Sequence, residues 1–163
     1  MYQWGRGADG HQCRDSETTT TLSSSDQPGH GDFITSTVGA NWDWRSPQND
    51  DLWQGVNGVN NPCPIGYRIP TEAELNAERE SWVQAPINSS NNAAGANDSP
   101  LKLPLAGSRG KSTGSIVVVG TNGLYWSSTV SDTDARYLNF GSINALMNGT
   151  DRAFGLSVRC LKD

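Results

Sequence analysis

The second half of the chain consists of short apolar segments separated by turn residues. Residues 101–107, 115–120, 124–129, 135–140 and 156–160 are rich in Val, Leu, Ile or aromatic residues, and Gly, Asn or Asp lie between them. Segments of this length and composition predict short strands. The pair Asn122 and Gly123 predicts a hairpin turn, because Asn and Gly adopt positive φ at little cost.

A helical pattern precedes these strands. Thr71 and Glu74 have the spacing of a capping box, in which each residue satisfies a free backbone N–H of the other. Leu75 and Trp82 then fall on one stripe, with acidic residues elsewhere. The pattern therefore predicts an amphipathic helix over residues 70–82.

A second, shorter helical turn is predicted from Ser46, because Ser can cap a helix and the following Pro47 suits its first position. Helices early and antiparallel strands late indicate the α+β class. We expect one or two helices packed on short antiparallel strands, connected by long loops.

Two loops are rich in Ser, Thr, Asn and Gly, at residues 17–32 and 88–100. They alternate with segments that carry Trp, so we interpret them as surface loops of one domain. Trp42, Trp44 and Trp53 are predicted to anchor such loops to the core. The alternative for these residues is an exposed platform on which sugars stack.

Length and charge exclude several classes of protein. The 163 residues are typical of one domain, and the net charge of −5 comes with no run of Lys or Arg. We therefore expect no nucleic-acid binding, which needs clustered positive charge. No apolar run approaches the roughly 20 residues that cross a bilayer, and the first residues do not resemble a signal peptide. Direct membrane insertion is not expected.

Candidate catalytic groups are few. The only histidines, His11 and His30, lie in Gly-rich surroundings without a nucleophile signature. Together with Cys13 they fit no common zinc spacing, and Asp50 and Asp51 lack the pattern of a calcium loop. The sequence predicts neither an enzyme nor a cofactor or metal site.

Three cysteines, Cys13, Cys63 and Cys160, allow at most one intramolecular disulfide. They are either buried free thiols or include one bridged pair. If a pair is bridged, we expect Cys63 with Cys160.

Residues 135–160 combine two kinds of position. Leu138, Phe140, Met147, Val158 and Cys160 have the character of core residues. The positions between them share neither size, polarity nor structural propensity.

Five blocks of the chain strongly resemble one family. They are "YQWGRGADGH", "NDDLWQGVNGVNNPCPIGYRIPTEAEL", "LKLPLAGSR", "GTNGLYWSST" and "RAFGLSVRCLKD". They occur in the order found in the major paralogous domain of Fibrobacter, FISUMP, and cover essentially residues 1–163. The resemblance implies a single domain with a C-type-lectin-like fold, related to formylglycine-generating enzymes. The catalytic cysteines of those enzymes have no evident counterpart here.

The last forty residues also resemble the variable proteins of diversity-generating retroelements, whose C-terminal segment is copied from a template with errors at adenines. Such templates typically encode Asn at the diversified positions. This resemblance implies a variable region at about 124–156. Its departures from an Asn-rich template are Leu124, Asp132, Asp134, Tyr137, Gly141, Ile143, Leu146, Gly149, Thr150, Asp151, Phe154 and Leu156.

The residues at these positions agree with that origin. Replacement of the adenines of an Asn codon gives Tyr, Gly, Ile, Leu, Thr, Asp, Phe or Ser, but never Gln, Glu, Lys, Met or Trp. Gln and Glu are absent from residues 124–163, where Lys162 is the only lysine.

A ligand-binding face is therefore expected, formed by the variable residues together with Asn139, Asn144 and Asn148. Tyr137 is expected to be exposed, since it alternates with Leu138. Phe154 and Leu156 share the parity of Val158, so a regular strand would bury them instead. Tyr125 is a possible further contact, and Trp126 is expected in the core.

The resemblance implies a non-enzymatic protein that recognises an unidentified protein or cell-surface receptor, displayed on a cell or virion surface by a signal outside this chain. An undiversified FISUMP surface domain with a structural or glycan-binding role is the alternative. A degenerate enzyme of the formylglycine type would require a reactive cysteine and a metal.

Overall fold

A computed structural model describes residues 1–37, 42–84, 86 and 89–163, and its elements are of both types. In chain order they are β1 (Tyr2–Gln3), β2 (Thr18–Thr19), β3 (Phe33–Ile34), β4 (Tyr67–Arg68), α1 (Glu72–Ser81), α2 (Ala93–Asp98), β5 (Ser108–Arg109), β6 (Ile116–Val117), β7 (Gly123–Ser131), β8 (Asp134–Phe140), β9 (Ala145–Asp151), β10 (Gly155–Leu156) and β11 (Leu161–Lys162). Most strands have only two residues. The α+β class is confirmed.

Helix α1 begins at the predicted capping box. Thr71 Oγ1 accepts a hydrogen bond from the backbone N–H of Glu74 at 3.3 Å, and the Glu74 carboxylate accepts one from the Thr71 N–H at 2.8 Å. The same carboxylate accepts hydrogen bonds from both terminal guanidinium nitrogens of Arg68, each at 2.8 Å. Leu75 and Trp82 are buried, as the stripe predicts.

Strands β7, β8 and β9 form a three-stranded antiparallel sheet that lies between two apolar clusters. The cluster on the α1 side contains Leu75, Trp82, Ala96, Leu103, Tyr125, Leu138, Phe140 and Ala145, with Met147 partly buried against it. Aromatic rings meet at its centre, where Phe140 stacks on Tyr125 and contacts Trp82 edge-on. This cluster fixes one face of the sheet.

The cluster on the opposite face contains residues from both ends of the chain. Its buried members are Trp4, Trp53, Ile69, Trp126, Ala135, Tyr137 and Leu156. Strand β1 pairs with β10, which pairs in turn with β5. The backbone of Ser157 bonds to the edge of β7, so the chain termini close against the three-stranded sheet.

The prediction that tryptophans anchor the loops to the core is confirmed for Trp44 and Trp53. Trp4, Trp44, Trp53, Trp82 and Trp126 are at most 1 % exposed, and Trp42 is half-buried. Four of the buried indoles donate their N–H to backbone carbonyls far away in the chain or across a loop. They therefore stabilise loops by hydrogen bonds as well as by burial.

Several predicted elements differ in the structure. Residues 101–107 form turns and irregular chain, and the strand lies just after them at β5. Asn122 and Gly123 do not close a hairpin, because β6 pairs with β5 and β7 pairs with β8. The segment 156–160 is divided between β10, an isolated bridge at Ser157 and irregular chain before β11.

Three further predictions were wrong or incomplete. Residues from Ser46 form turns and bends without a helix, and the predicted loop 88–100, whose residue 88 lies outside the described residues, contains α2. Strand β9 was not predicted, because its sequence carries Asn148 and Gly149, which disfavour strands. Pairing with β8 along its whole length overrides that local preference.

A disulfide joins Cys63 to Cys160, the pair expected from the sequence, and Cys13 is an exposed free thiol. The bridge spans 97 residues and connects the loop before β4 to the C-terminal segment. The alternative of buried free thiols is wrong for these three cysteines.

Candidate functional site

Alternate residues of β7, β8 and β9 form three cross-strand rows on the face opposite α1. The rows are Leu124, Asn139 and Leu146; Trp126, Tyr137 and Asn148; and Val130, Ala135 and Thr150. Six of these nine residues belong to the predicted ligand-binding set. Strand pairing thus brings together residues that are up to 22 positions apart in the sequence, as Leu124 and Leu146 are.

All three residues that β9 contributes to this face are at least partly exposed, whereas β7 and β8 each contribute buried ones. Trp126 and Ala135 are fully buried, whereas Leu124 and Asn139 are half-buried. On β9, Leu146 and Thr150 are half-buried and Asn148 is exposed. The accessible part of the face is therefore the β9 side, which is the outer edge of the sheet. We call Leu124, Asn139, Leu146, Asn148 and Thr150 the sheet surface.

Tyr137 and Leu156 are buried, which corrects the expectation that Tyr137 is exposed and agrees with the burial that the parity of Leu156 with Val158 predicts. Tyr137 does lie on the opposite side of β8 from Leu138, but the chain termini cover that side, and Trp126 meets its ring edge-on. Their exposures are 8 % and 1 %. Leu156 pairs with Tyr2 of β1 and enters the same cluster.

Tyr137 nevertheless reaches the sheet surface through its hydroxyl. Burial raises the pKa of Tyr137, and a hydrogen bond with Asn148 partly opposes that rise. Tyr125 is also buried, on the α1 side, so it is no contact residue. Trp126 is in the core as predicted.

The turn between β8 and β9 carries Gly141, Ile143 and Asn144. Ile143 is 89 % exposed, and Asn144 is exposed beside it. With Thr121 and Asn122 these residues line a shallow cleft of about 240 Å³. The Gly141 N–H donates to the Asn144 carbonyl at 3.0 Å, which closes the turn and holds Ile143 away from the core. We call Gly141, Ile143 and Asn144 the hairpin tip.

The remaining predicted residues lie at the other end of the sheet. On the paired strands, Asp134 is directly opposite Asp151 and Gly149 is opposite Arg136. By alternation, Asp134, Gly149 and Asp151 therefore lie on the same side of the sheet as Leu138, away from the sheet surface. Burial and repulsion from Asp151 raise the pKa of Asp134. Asp132 is exposed in the β7–β8 turn with φ +52°.

Phe154 is half-buried because it precedes β10 in a turn. Its N–H donates to the Asp151 carbonyl at 3.2 Å, which places the two side chains at the ends of one turn. We call Asp132, Asp134, Gly149, Asp151 and Phe154 the acidic end.

One residue missed by sequence reasoning, Lys111, contacts the acidic end. Lys111 Nζ lies 2.5 Å from Asp151 Oδ2, 3.4 Å from the centre of the Trp42 ring and 5.5 Å from that of Phe154. Lys111 belongs to the turn between β5 and β6, forty residues before Asp151. Nothing in the local sequence indicates this contact, since only tertiary packing brings the two turns together.

The buried histidine His11 makes hydrogen bonds within the fold. His11 is buried, where its Nε2 accepts a hydrogen bond from the Gln3 N–H and its Nδ1 contacts Asp9 at 2.6 Å. Over residues 1–37, 42–84, 86 and 89–163, no group of three or more His, Cys, Asp or Glu side chains is arranged to hold a metal ion.

Comparisons of the chain with family models, with curated proteins and with solved structures find no match. Neither α1 nor α2, the two helices in the described part of the chain, has the length and apolarity needed to span a membrane.

Proposed function

We propose that this protein is a non-enzymatic ligand-binding protein of the FISUMP family, with a C-type-lectin-like fold, whose variable residues were written by a diversity-generating retroelement. One observation carries the proposal. Leu146 and Thr150, two predicted variable residues of β9, belong to the sheet surface, whereas the scaffold residues Leu138 and Phe140 of the paired strand β8 face the α1 cluster on the other side of the sheet.

This separation explains how such a segment tolerates change. The backbone of β9 is held along seven residue pairs by β8, and Ala145 anchors it in the α1 cluster. Side chains at 146, 148 and 150 can therefore be replaced without changing the strand pairing, because backbone groups make those bonds. The buried Tyr137 and Leu156 are the exceptions, and the proposal excludes them from direct ligand contact.

The composition of the accessible surfaces suits a protein partner. The hairpin tip and sheet surface combine the apolar Ile143 and Leu146 with the amides of Asn139, Asn144 and Asn148. Exposed apolar side chains rimmed by polar groups are typical of protein interfaces. We therefore propose that the ligand is a protein or surface receptor, and that the protein is displayed on a cell or virion surface.

Sequencing of the genomic locus tests the proposal most directly. We expect a nearby reverse transcriptase gene and a template repeat that encodes Asn at residues 141, 143, 146, 149, 150, 151 and 154. The template and the gene should encode the same residues at Leu138, Phe140 and Met147. A locus without the repeat would leave the undiversified FISUMP domain as the better interpretation.

A pair of displayed libraries tests the geometry independently. In the first library, positions 143, 146, 148, 150 and 154 are randomised with codons that end in a pyrimidine. In the control library, Tyr125, Ala135, Leu138, Phe140 and Ala145 are randomised in the same way. We expect most of the first library and almost none of the second to resist protease, and only the first to yield binders to immobilised lysozyme. Equal resistance of the two libraries would contradict the proposal.

A further inference from the structure

Lys111 is a residue outside the variable region whose surroundings are formed largely by variable positions. Its ammonium contacts Asp151 at 2.5 Å and faces the Phe154 ring at 5.5 Å, and both residues belong to the predicted variable set. The third neighbour, Trp42, lies outside that set at 3.4 Å. The contacts of Lys111 are therefore partly fixed and partly variable.

The base of the side chain does not depend on the variable residues. The Lys111 carbonyl accepts a hydrogen bond from the Ser36 N–H at 2.8 Å, which ties the β5–β6 turn to the segment after β3. The Trp42 carbonyl in turn accepts from the Ala153 N–H at 3.0 Å, so the indole stays beside the turn that carries Asp151 and Phe154. A cation over an indole face is attracted to it at this distance. The contacts that place Lys111 and Trp42 beside the acidic end therefore do not use the side chain at position 151.

The proposed mode of variation gives position 151 a special effect on this lysine. Asp is the only acidic residue that replacement of adenines in an Asn codon can produce, since Glu is unreachable. Lys is unreachable as well, so the variable segment cannot supply an ammonium of its own. The side chains of Lys111 and Asp151 are 19 % and 27 % exposed, which leaves the pair within reach of a ligand.

We propose that Lys111 is a specificity-determining contact residue whose availability is set by the residue at position 151. With Asp151 the ammonium is neutralised within the protein. With a neutral residue at 151 the ammonium is presented by Trp42 to the ligand and selects carboxylate groups. This inference rests on the proposed function, because it assumes that position 151 varies and that the acidic end contacts the ligand.

Amine acetylation followed by mass spectrometry tests the first half of the inference. The chain has three lysines, Lys102, Lys111 and Lys162, so each can be followed separately. In the unaltered protein Lys111 should react more slowly than the other two. In Asp151→Asn its rate should rise about threefold, a modest change because partly exposed ion pairs are weak, while the rates of Lys102 and Lys162 stay constant.

Asp132→Asn is the matched control. It removes one negative charge from the same end of the sheet, and Asn tolerates the positive φ of this position as well as Asp does. The net charges of the two variants are equal, so a difference between them reports the local contact. Lys111 reactivity should be unchanged in Asp132→Asn.

Binding of a hexaglutamate peptide, measured by NMR titration at low ionic strength, tests the second half. Asp151→Asn should bind the peptide at least about threefold more tightly than Asp132→Asn, with the largest shifts near Trp42. The double variant Lys111→Gln with Asp151→Asn should lose that gain. Together with faster acetylation, this result supports the proposal.

Either of two results overturns it. Unchanged acetylation of Lys111 in Asp151→Asn would show that another group, such as Asp134, holds the ammonium. Faster acetylation without a gain in hexaglutamate binding would show a freed lysine that selects no carboxylate. Neither measurement depends on a retroelement, so failure of the proposed function at the genomic locus is distinguishable from failure here.

Discussion

The three-stranded sheet and the loop-rich N-terminal segment are stabilised by different interactions. On the α1 side of the sheet, apolar side chains pack together and the strands satisfy one another's backbone groups. In residues 1–37 the backbone is mostly irregular, and fully buried polar side chains lie against it. Gln3 donates to the carbonyls of Ile34 and Ala153, and Arg6 donates to those of His30 and Asp32.

The difference follows from the hydrogen-bonding needs of the backbone. Buried N–H and C=O groups require partners, and a strand finds them in its neighbours. Irregular chain has no such ladder, so side chains must supply the partners. This is why side chains of the sheet remain available for the proposed binding surface, whereas Gln3 and Arg6 are committed to the fold.

The largest effect on stability should come from the apolar cluster on the α1 side of the sheet. Phe140→Ala should lower the free energy of unfolding by about 3–5 kcal/mol, because it leaves a cavity between Tyr125 and Trp82. Urea denaturation followed by tryptophan fluorescence measures this. Ile143→Ala at the exposed hairpin tip is the control and should change stability by less than about 0.5 kcal/mol. Equal effects of the two would contradict the assignment of the faces.

The disulfide connects the loop-rich part of the chain to its C-terminal segment. Replacement of Cys63 and Cys160 by Ser should cost about 2–5 kcal/mol, because the unfolded chain loses the constraint of a 97-residue separation. Chemical denaturation with and without reductant measures the loss. Cys13→Ser, which alters an exposed free thiol, should leave the midpoint unchanged. A reductant-insensitive midpoint would show that the bridge is absent or contributes nothing.

A variant of Arg6 tests whether buried polar side chains stabilise the N-terminal segment. Arg6→Met keeps the apolar bulk but leaves the carbonyls of His30 and Asp32 without their donor, at a cost of about 2–3 kcal/mol. Arg14→Met is the control, since Arg14 is exposed and makes one bond to a carbonyl. Hydrogen exchange should show that the amides near β3 lose protection in the first variant alone. If Arg6→Met were neutral, buried polar side chains would not hold this segment.

The pH dependence of stability should report the buried His11. Burial lowers the pKa of His11 from 6.5 to about 4, and Asp9 only partly offsets this. The unfolded chain therefore binds more protons between those values, so the free energy of unfolding should fall as pH drops from 6.5 to 4. His11→Gln, which can still accept from the Gln3 N–H, should remove this slope.

The difference in pH dependence of stability between the unaltered protein and His11→Gln isolates the contribution of His11. Burial raises the pKa of Asp43 to about 6, which contributes an opposite slope in both the unaltered protein and the variant. Thermal unfolding at several pH values between 4 and 7 provides the measurement. Parallel stability curves would contradict a buried neutral imidazole.

The smallest effect is expected on the sheet surface. Thr150→Ala should change the free energy of unfolding by less than about 0.5 kcal/mol, since its side chain is half-buried and borders the accessible face. Ala135 lies directly opposite in the same row and is fully buried, so Ala135→Leu should cost about 1–3 kcal/mol by overpacking. Similar costs at both positions would show that the row is covered throughout.

Local sequence predicted those parts of the fold that local interactions determine. The capping box at Thr71 and Glu74 makes its bonds within one turn of chain, and the alternation in β8 follows from the geometry of a single strand. Strand β9 carries no such local signal, because Asn148 and Gly149 are poor strand formers. Its existence depends on a partner strand already in place.

In the candidate site, too, some exposures follow from the local sequence pattern and others depend on tertiary packing. The exposure of Ile143 and Asn148 agrees with the sequence pattern, whereas the burial of Tyr137 does not. Alternation along β8 correctly places Tyr137 on the face away from Leu138 but says nothing of what covers that face. The cover consists of Trp4 and Leu156, which come from opposite ends of the chain.

The sequence by itself determined the α+β class, the α1 helix and the side of the sheet on which Leu138 and Phe140 lie, because periodicity and capping depend on neighbours a few residues apart. The tertiary structure alone decided that Tyr137 is covered while Asn148 stays exposed, and that Lys111 contacts Asp151. Those facts depend on contacts between distant segments, where burial is set by the packing of the whole chain.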